Sequence, residues 1–207
     1  MCVIISSPAR KHRPSLETLR LCARHNPHGN GLAWIEQSRV HYIKGLSPES
    51  IHENLSILRG PVVIHFRYAT VGGKRPVLSH PFPVSELAPA KQYGTAREVL
   101  FHNGHWPGWE AFQSELNLNL EGPVSDSRLI AIGVYLAGEA WLSTIPGRFA
   151  LFSKWEGVRL FGDWTESDGC QFSNLNWKLR EPLQPDLPAE NRRRATDIGD
   201  AAVCFGD

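Results

Sequence analysis

The chain has 207 residues, 42% of them hydrophobic, and its 22 Lys plus Arg are offset by 21 Asp plus Glu, for a formal charge of +1. This length supports one sizeable core, and the near-neutral balance removes the electrostatic case for nucleic acid or an anionic membrane surface as a partner. No apolar run approaches the roughly 18 residues that a bilayer span needs, and no basic stretch followed by a long apolar one opens the chain, so a soluble, cytoplasmic protein is expected.

Val3 to Ser6 reads as a short apolar strand, and "SLETLRLCAR" as a helix behind the N-cap Ser15, with Leu16, Leu19 and Ala23 on one face. The clearest hairpin is "GLAWIEQSRVHYIKG", in which Leu32 to Glu36 and Arg39 to Lys44 flank the polar turn Gln37-Ser38. A second helix is expected from about Pro48 to Arg59. The β-branched and aromatic "PVVIHFRYAT" is a buried strand ending near Thr70. "EVLFHNG" gives another strand and "WEAFQSEL" a short helix. "SDSRLIAIGVYLAG" gives a longer helix, and "RFALFSKWEGVRLFG" and "CQFSN" return to strands. The predicted domain covers residues 2–179. Beyond it, residues 180–207 hold three prolines, mixed charge and weak periodicity, and read as a weakly structured tail. Cys2, Cys22, Cys170 and Cys204 form no C-x-x-C pair, so neither a zinc ribbon nor a disulfide framework is indicated.

Residues with chemistry gather in "MC", "HFRYATVGG", "LSHPF" with "FHNGHW", and "VSDSRL". Initiator methionine is normally removed ahead of a small residue, which would make Cys2 the N-terminus. A free α-amine titrates near about 7.7 to 8.0 and a thiol near about 8.5, so one residue would carry both nucleophile and base. The plain alternative is a small, inert core cysteine.

The leading Cys, "HFRYATVGG" and "FHNG", in that order, resemble the class II glutamine amidotransferases of the N-terminal-nucleophile hydrolase superfamily. The segment "HNPHGNGLAW" and its hairpin resemble the small free-standing members, with His28 where they carry aspartate. The resemblance covers roughly residues 2 to 175. It implies an α+β fold, a four-layer αββα sandwich with two packed antiparallel sheets, and amide hydrolysis that releases ammonia and glutamate. It places Cys2 as nucleophile and Asn103 with Gly104 as the oxyanion hole. Arg67, with Thr70 beside it, would grip the substrate α-carboxylate, Asp126 the α-ammonium, and His80 would help shape the site. Tyr68 stands where many members have Trp, Val71 where some have His, and Ser125 and Ser127 where acidic residues often flank the aspartate.

Each residue has a plainer reading too. Arg67 could be a surface-strand arginine, and Asp126 could simply cap its helix. His102 and His105 could suggest a metal, but an H-x-x-H spacing running from strand into turn sends its imidazoles in different directions, and no metal or other cofactor is expected. Gly72 and Gly73 lack the G-K-[ST] ending of a phosphate loop and fit the hinges of a flap beside the substrate. The seven tryptophans read as core or rim, and Arg192 to Arg194 as a solvated patch. The predicted partner is glutamine or a related small amide. With only about 30 residues left for a tail, any ammonia-accepting synthetase would be a separate protein. A free-standing amidohydrolase of γ-glutamyl or similar amides is the alternative, and a catalytically silent binding protein of the same fold is a third reading.

Overall fold

The computed structural model describes residues 2–70 and 72–179; the segment read as a tail, with Cys204 and the arginine run, lies outside them. The elements in chain order are β1 (Val3–Ser7), α1 (Leu16–His25), β2 (Asn30–Glu36), β3 (Arg39–Lys44), α2 (Pro48–Ile57), β4 (Val62–Phe66), β5 (Phe82–Pro83), β6 (Tyr93–Ala96), β7 (Glu98–Asn103), α3 (Trp109–Glu115), α4 (Asp126–Ala137), β8 (Arg148–Ser153), β9 (Gly157–Phe161), β10 (Thr165–Ser167), β11 (Cys170–Phe172) and α5 (Asn176–Leu179). The chain is α+β, with two antiparallel sheets. A seven-stranded sheet runs in the order β10-β11-β1-β4-β2-β3-β6, and a four-stranded one in the order β5-β7-β8-β9.

Local signals account for most boundaries. Ser15, Ser47 and Ser125 each accept a backbone N–H of the first turn of α1, α2 and α4, which satisfies a donor that would otherwise be orphaned. The β2–β3 turn places Gln37 and Ser38 at φ 47° and 64°, the paired left-handed geometry that matches strand twist in a two-residue hairpin. The strand over 61–70 is shorter than its composition suggests. It ends at Phe66, because the Tyr68 N–H turns to Cys2 Sγ and the Ala69 N–H to the His28 ring instead of a neighbouring strand. Pro48 to Arg59 likewise ends early, at Ile57.

Burial occurs in three apolar groups. One joins Leu19, Cys22, Ile51 and Leu55 of α1 and α2 to Val3, Ile5, Leu32 and Ile64 on the large sheet. A second lies between the sheets, with Ile4, Ala33, Val40 and Val63 meeting Val99, Phe101, Ala150 and Phe152. The third joins Leu129, Ile130 and Ile132 of α4 to Leu100, Phe149 and Leu151 on the small sheet. Alternation along β1 therefore sends Val3 and Ile5 to the helices and Ile4 to the other sheet, as a period of two requires. Among the described residues no helix is long and apolar enough to cross a membrane.

Candidate active site

Cys2 lies just ahead of β1, a central strand of the large sheet, and its position is fixed from three directions. Its thiol accepts the Tyr68 N–H at 3.3 Å and sits 3.5 Å from the Tyr68 carbonyl. The Asn174 side-chain amide donates to the Cys2 carbonyl at 2.8 Å. Beyond it, Ser173 is bonded to Ile4 in both directions, Oγ accepting the Ile4 N–H and the Ser173 N–H reaching the Ile4 carbonyl, each at 2.9 Å. The "SN" that follows β11 thus clamps the start of β1. Burial pushes the Cys2 thiol up from its ordinary value, while the Tyr68 N–H and the Arg67 guanidinium pull it down.

Cys2 lines a narrow cleft of about 20 Å³ together with Arg67, Tyr68, Thr70, Leu78, His80, His102, Gly104 and Ser125 to Ser127. Of the sequence-predicted residues, Cys2, Arg67, Thr70, His80, Gly104 and Asp126 come together there. Asn103 does not line it. Asn103 is 3% exposed, and its Nδ2 donates to Ser173 Oγ at 2.9 Å.

Arg67 follows β4 and is buried. Its Nη1 donates to the Gly73 carbonyl at 2.7 Å, and its backbone is held by Gly29 and His28, the Arg67 N–H reaching the Gly29 carbonyl at 2.7 Å and the His28 N–H the Arg67 carbonyl at 3.0 Å. The His28 side chain supports the same segment, its Nδ1 accepting the Ala69 N–H at 2.9 Å and its ring packing on Tyr68. Asp126, 5% exposed, opens α4. One carboxylate oxygen accepts the Ser127 N–H at 2.8 Å and the other the Trp106 N–H at 3.1 Å, with His105 Nδ1 3.6 Å away. A carboxylate has about four acceptor positions, so these bonds orient Asp126 without exhausting it. Capping and ligand binding are compatible here.

Behind the cleft runs a column of histidines that the sequence reading passed over in part. The His80 N–H donates to His65 Nδ1 and the His102 N–H to His80 Nδ1, each at 3.2 Å, and the His65 and His80 rings stack at 4.0 Å. His102 Nδ1 meets Ser127 Oγ at 3.0 Å, and Ser127 Oγ reaches Asp126 at 3.3 Å. The other nitrogen, His102 Nε2, faces the Pro146 carbonyl without reaching hydrogen-bond geometry. Burial depresses all three imidazoles, His102 to about 4 and His65 and His80 well below the ordinary value. Room for this column comes partly from Gly31 on β2, where a Cβ would strike the His80 carbonyl. Among the described residues no group of His, Cys, Asp or Glu is arranged to hold a metal ion.

The fold has a known counterpart. Glutamine phosphoribosylpyrophosphate (PRPP) amidotransferase from B. subtilis, complexed with ADP and GMP, superposes with a TM-score of 0.53 at 17% identity, over 83% of this chain and 41% of that one. A structure described as the allosteric regulatory enzyme of purine biosynthesis superposes with a TM-score of 0.47 at 18% identity, over 77% of this chain and 35% of the other. This chain therefore spans less than half the length of either. No family model matches the chain, and no curated protein sequence matches it. At such identities the likeness concerns the fold alone.

Proposed function

We propose that this protein hydrolyses the side-chain amide of glutamine, with Cys2 as an N-terminal nucleophile exposed by removal of Met1, on the four-layer sandwich of the N-terminal-nucleophile hydrolases. The observation that carries the reading is the gathering of Cys2, Arg67, Thr70, Gly104 and Asp126, from separated stretches of sequence, around one cleft. A thiol, a guanidinium and a carboxylate there match the amide carbon, α-carboxylate and α-ammonium of one amino acid.

In this mechanism the Cys2 α-amine takes the thiol proton and sulfur adds to the amide carbon. The resulting oxyanion is held by the Gly104 N–H and the Asn103 amide. The C–N bond breaks as the ammonium returns its proton to the departing nitrogen, releasing ammonia and leaving a thioester. Water, deprotonated by the same amine, cleaves the thioester to glutamate and restores the thiol. Two adjustments accompany substrate binding: a cleft of about 20 Å³ holds a water rather than an amino acid, so side chains such as Arg67 must move, and the Asn103 amide must turn partly from Ser173.

The test is ammonia release from L-glutamine by purified protein whose N-terminus has been defined by intact mass. Activity is expected only with Met1 absent, and Cys2→Ala should abolish it with the fold retained. Because acid–base help contributes roughly a hundred- to ten-thousandfold, protein that keeps Met1 quantitatively yet turns over at the same rate would overturn the assignment of the amine as base.

A further inference from the structure

A groove of about 960 Å³ lies remote in sequence from Cys2, at the side of the molecule where the two sheets end. β6 forms one edge of the large sheet and β5 one edge of the small one, and residues of both line the groove, together with Tyr135 near the C-terminus of α4. Its size suits a small organic ligand. Three cations, Arg39, Lys91 and Arg97, line it, and no Asp or Glu does. Arg20 and Arg159, by contrast, have carboxylate partners, Glu49 for the first and Glu98 and Glu139 for the second. The side chains of the groove's three cations make no ion pair and no hydrogen bond to any of the described residues. Like charges collected in one concavity without counter-charge repel one another and focus a positive potential.

An independent observation lies at the groove's floor. Tyr42 is 3% exposed, yet its hydroxyl makes no hydrogen bond to any described residue, whereas buried tyrosines ordinarily find a partner. Directly across the sheet from Tyr42 is Gly94, and a Cβ there would stand 2.8 Å from the Tyr42 oxygen. The glycine leaves that hydroxyl uncovered on the groove side. Tyr93 and Tyr135, 73% and 53% exposed, supply apolar faces beside it.

We propose that this groove binds a small organic oxyanion, a carboxylate or phosphate ester carried on a planar ring, with Arg39 and Arg97 pairing the anion, the Tyr42 hydroxyl donating to it and the exposed tyrosines covering the ring. Bidentate guanidinium contacts suit either anion. The site is independent of the amide chemistry at Cys2, and its test needs no turnover.

Isotope-labelled protein is titrated with benzoate, phenyl phosphate and the uncharged benzamide while backbone amide resonances are followed. At least one of the anions should bind saturably with shifts centred on Gly94, Thr95 and Arg97, and benzamide should not; which anion binds more tightly identifies the source as carboxylate or phosphate. The Arg39→Gln/Arg97→Gln pair should weaken that binding about tenfold or more, and Tyr42→Phe several-fold, each loss being that of a charge-assisted or neutral hydrogen bond. Both changes leave the remaining spectrum in place. Absence of saturable binding by both anions, equal binding of benzamide, affinity unchanged in the double variant, or occupancy by an acidic peptide but by neither small anion would each overturn the proposal.

Discussion

Ser173 decides more than its size suggests, because one hydroxyl serves both the start of β1 and the Asn103 amide. Replacing it with alanine strands the buried Ile4 N–H, a loss of about 1 to 3 kcal/mol, and releases Asn103. Ser173→Ala is therefore expected to lower stability to urea while leaving glutamine hydrolysis within about tenfold, whereas Asn103→Ala should lower kcat by about a hundred- to a thousandfold with less effect on stability. Equal kinetic losses in the two variants would mean that Asn103 acts only while Ser173 holds its amide in place. Arg67→Ala and Asp126→Ala should chiefly raise KM, since each leaves one charged end of glutamine unpaired; normal glutamine binding by both would point to a γ-glutamyl or other amide. The nucleophile, oxyanion and substrate-binding candidates were legible in sequence because their order and spacing carry a recognisable pattern. Ser173 and Asn174 were not, because a hydroxyl and an amide bonded to backbone leave no pattern along the chain; His28 stood out at a motif position, but its bond to the Ala69 N–H did not. Arg128 is a further case: 2% exposed, it donates to the carbonyls of Leu87, Ala88, Glu121 and Pro123, and nothing in "SDSRL" distinguishes it from a surface arginine.

Among the elements, the strand β3 illustrates what alternation reveals and what it hides. Its period-two pattern turns Val40, Tyr42 and Lys44 to the buried face, and the same pattern made the hairpin readable. A lysine on that face contradicts polarity, and only the fold explains it: Lys44 Nζ donates to the Val77 carbonyl at 2.8 Å and stands 4.5 Å from the Phe82 ring centre, with no carboxylate beside it. Burial, reinforced by Arg128 and Arg67, lowers its pKa to about 7. The unfolded chain then holds a proton, between about pH 7 and its ordinary value near about 10.4, that the folded chain gives up. Stability from this group is thus present above the unfolded value and is lost as pH falls toward 7, with a slope approaching about 1.4 kcal/mol per pH unit. Lys44→Met should flatten the dependence of unfolding free energy between pH 7 and 10; an unaltered slope would show that Lys44 stays charged in the fold. The strands that the sequence did not announce, β5, β6 and β10, are short edge or near-edge segments such as "YGTA". They are held by pairing with a neighbour rather than by an apolar run of their own, and so they lack the signal that marked β4 and β7.

At the scale of the whole molecule, the histidine column crosses the layers: His65 lies on β4 of the large sheet, His80 before β5, His102 on β7 of the small sheet, and Ser127 on α4. Since His65 Nδ1 and His80 Nδ1 each accept a backbone N–H, their protons sit on Nε2, and a second proton would break a bond that ties successive layers together. Burial first opposes that proton, followed by the positive charges of Arg67 and Lys44 for His65 and by its neighbours His65 and His102 for His80; Asp126 favours one on His102 but leaves it near about 4. The sign follows from linkage. An unfolded histidine charges near about 6.5, and these three resist charging when folded, so the unfolded chain binds more protons below that value. Their contribution is intact above pH 6.5 and is lost as pH falls toward the depressed folded values, at up to about 1.4 kcal/mol per pH unit for each histidine. With three acting together, two pH units would consume much of the roughly 5 to 15 kcal/mol that typically holds a domain together. Urea unfolding at pH 7.5, 6.5, 5.5 and 5.0 should therefore show a free energy that is level above 6.5 and falls steeply below it. His80→Gln, which keeps an oxygen able to accept the His102 N–H, should start lower at pH 7.5 but fall less steeply. A wild-type curve that stays level from 7.5 to 5.0 would mean that the column takes up protons in the folded state, and that the layers do not depend on its neutrality.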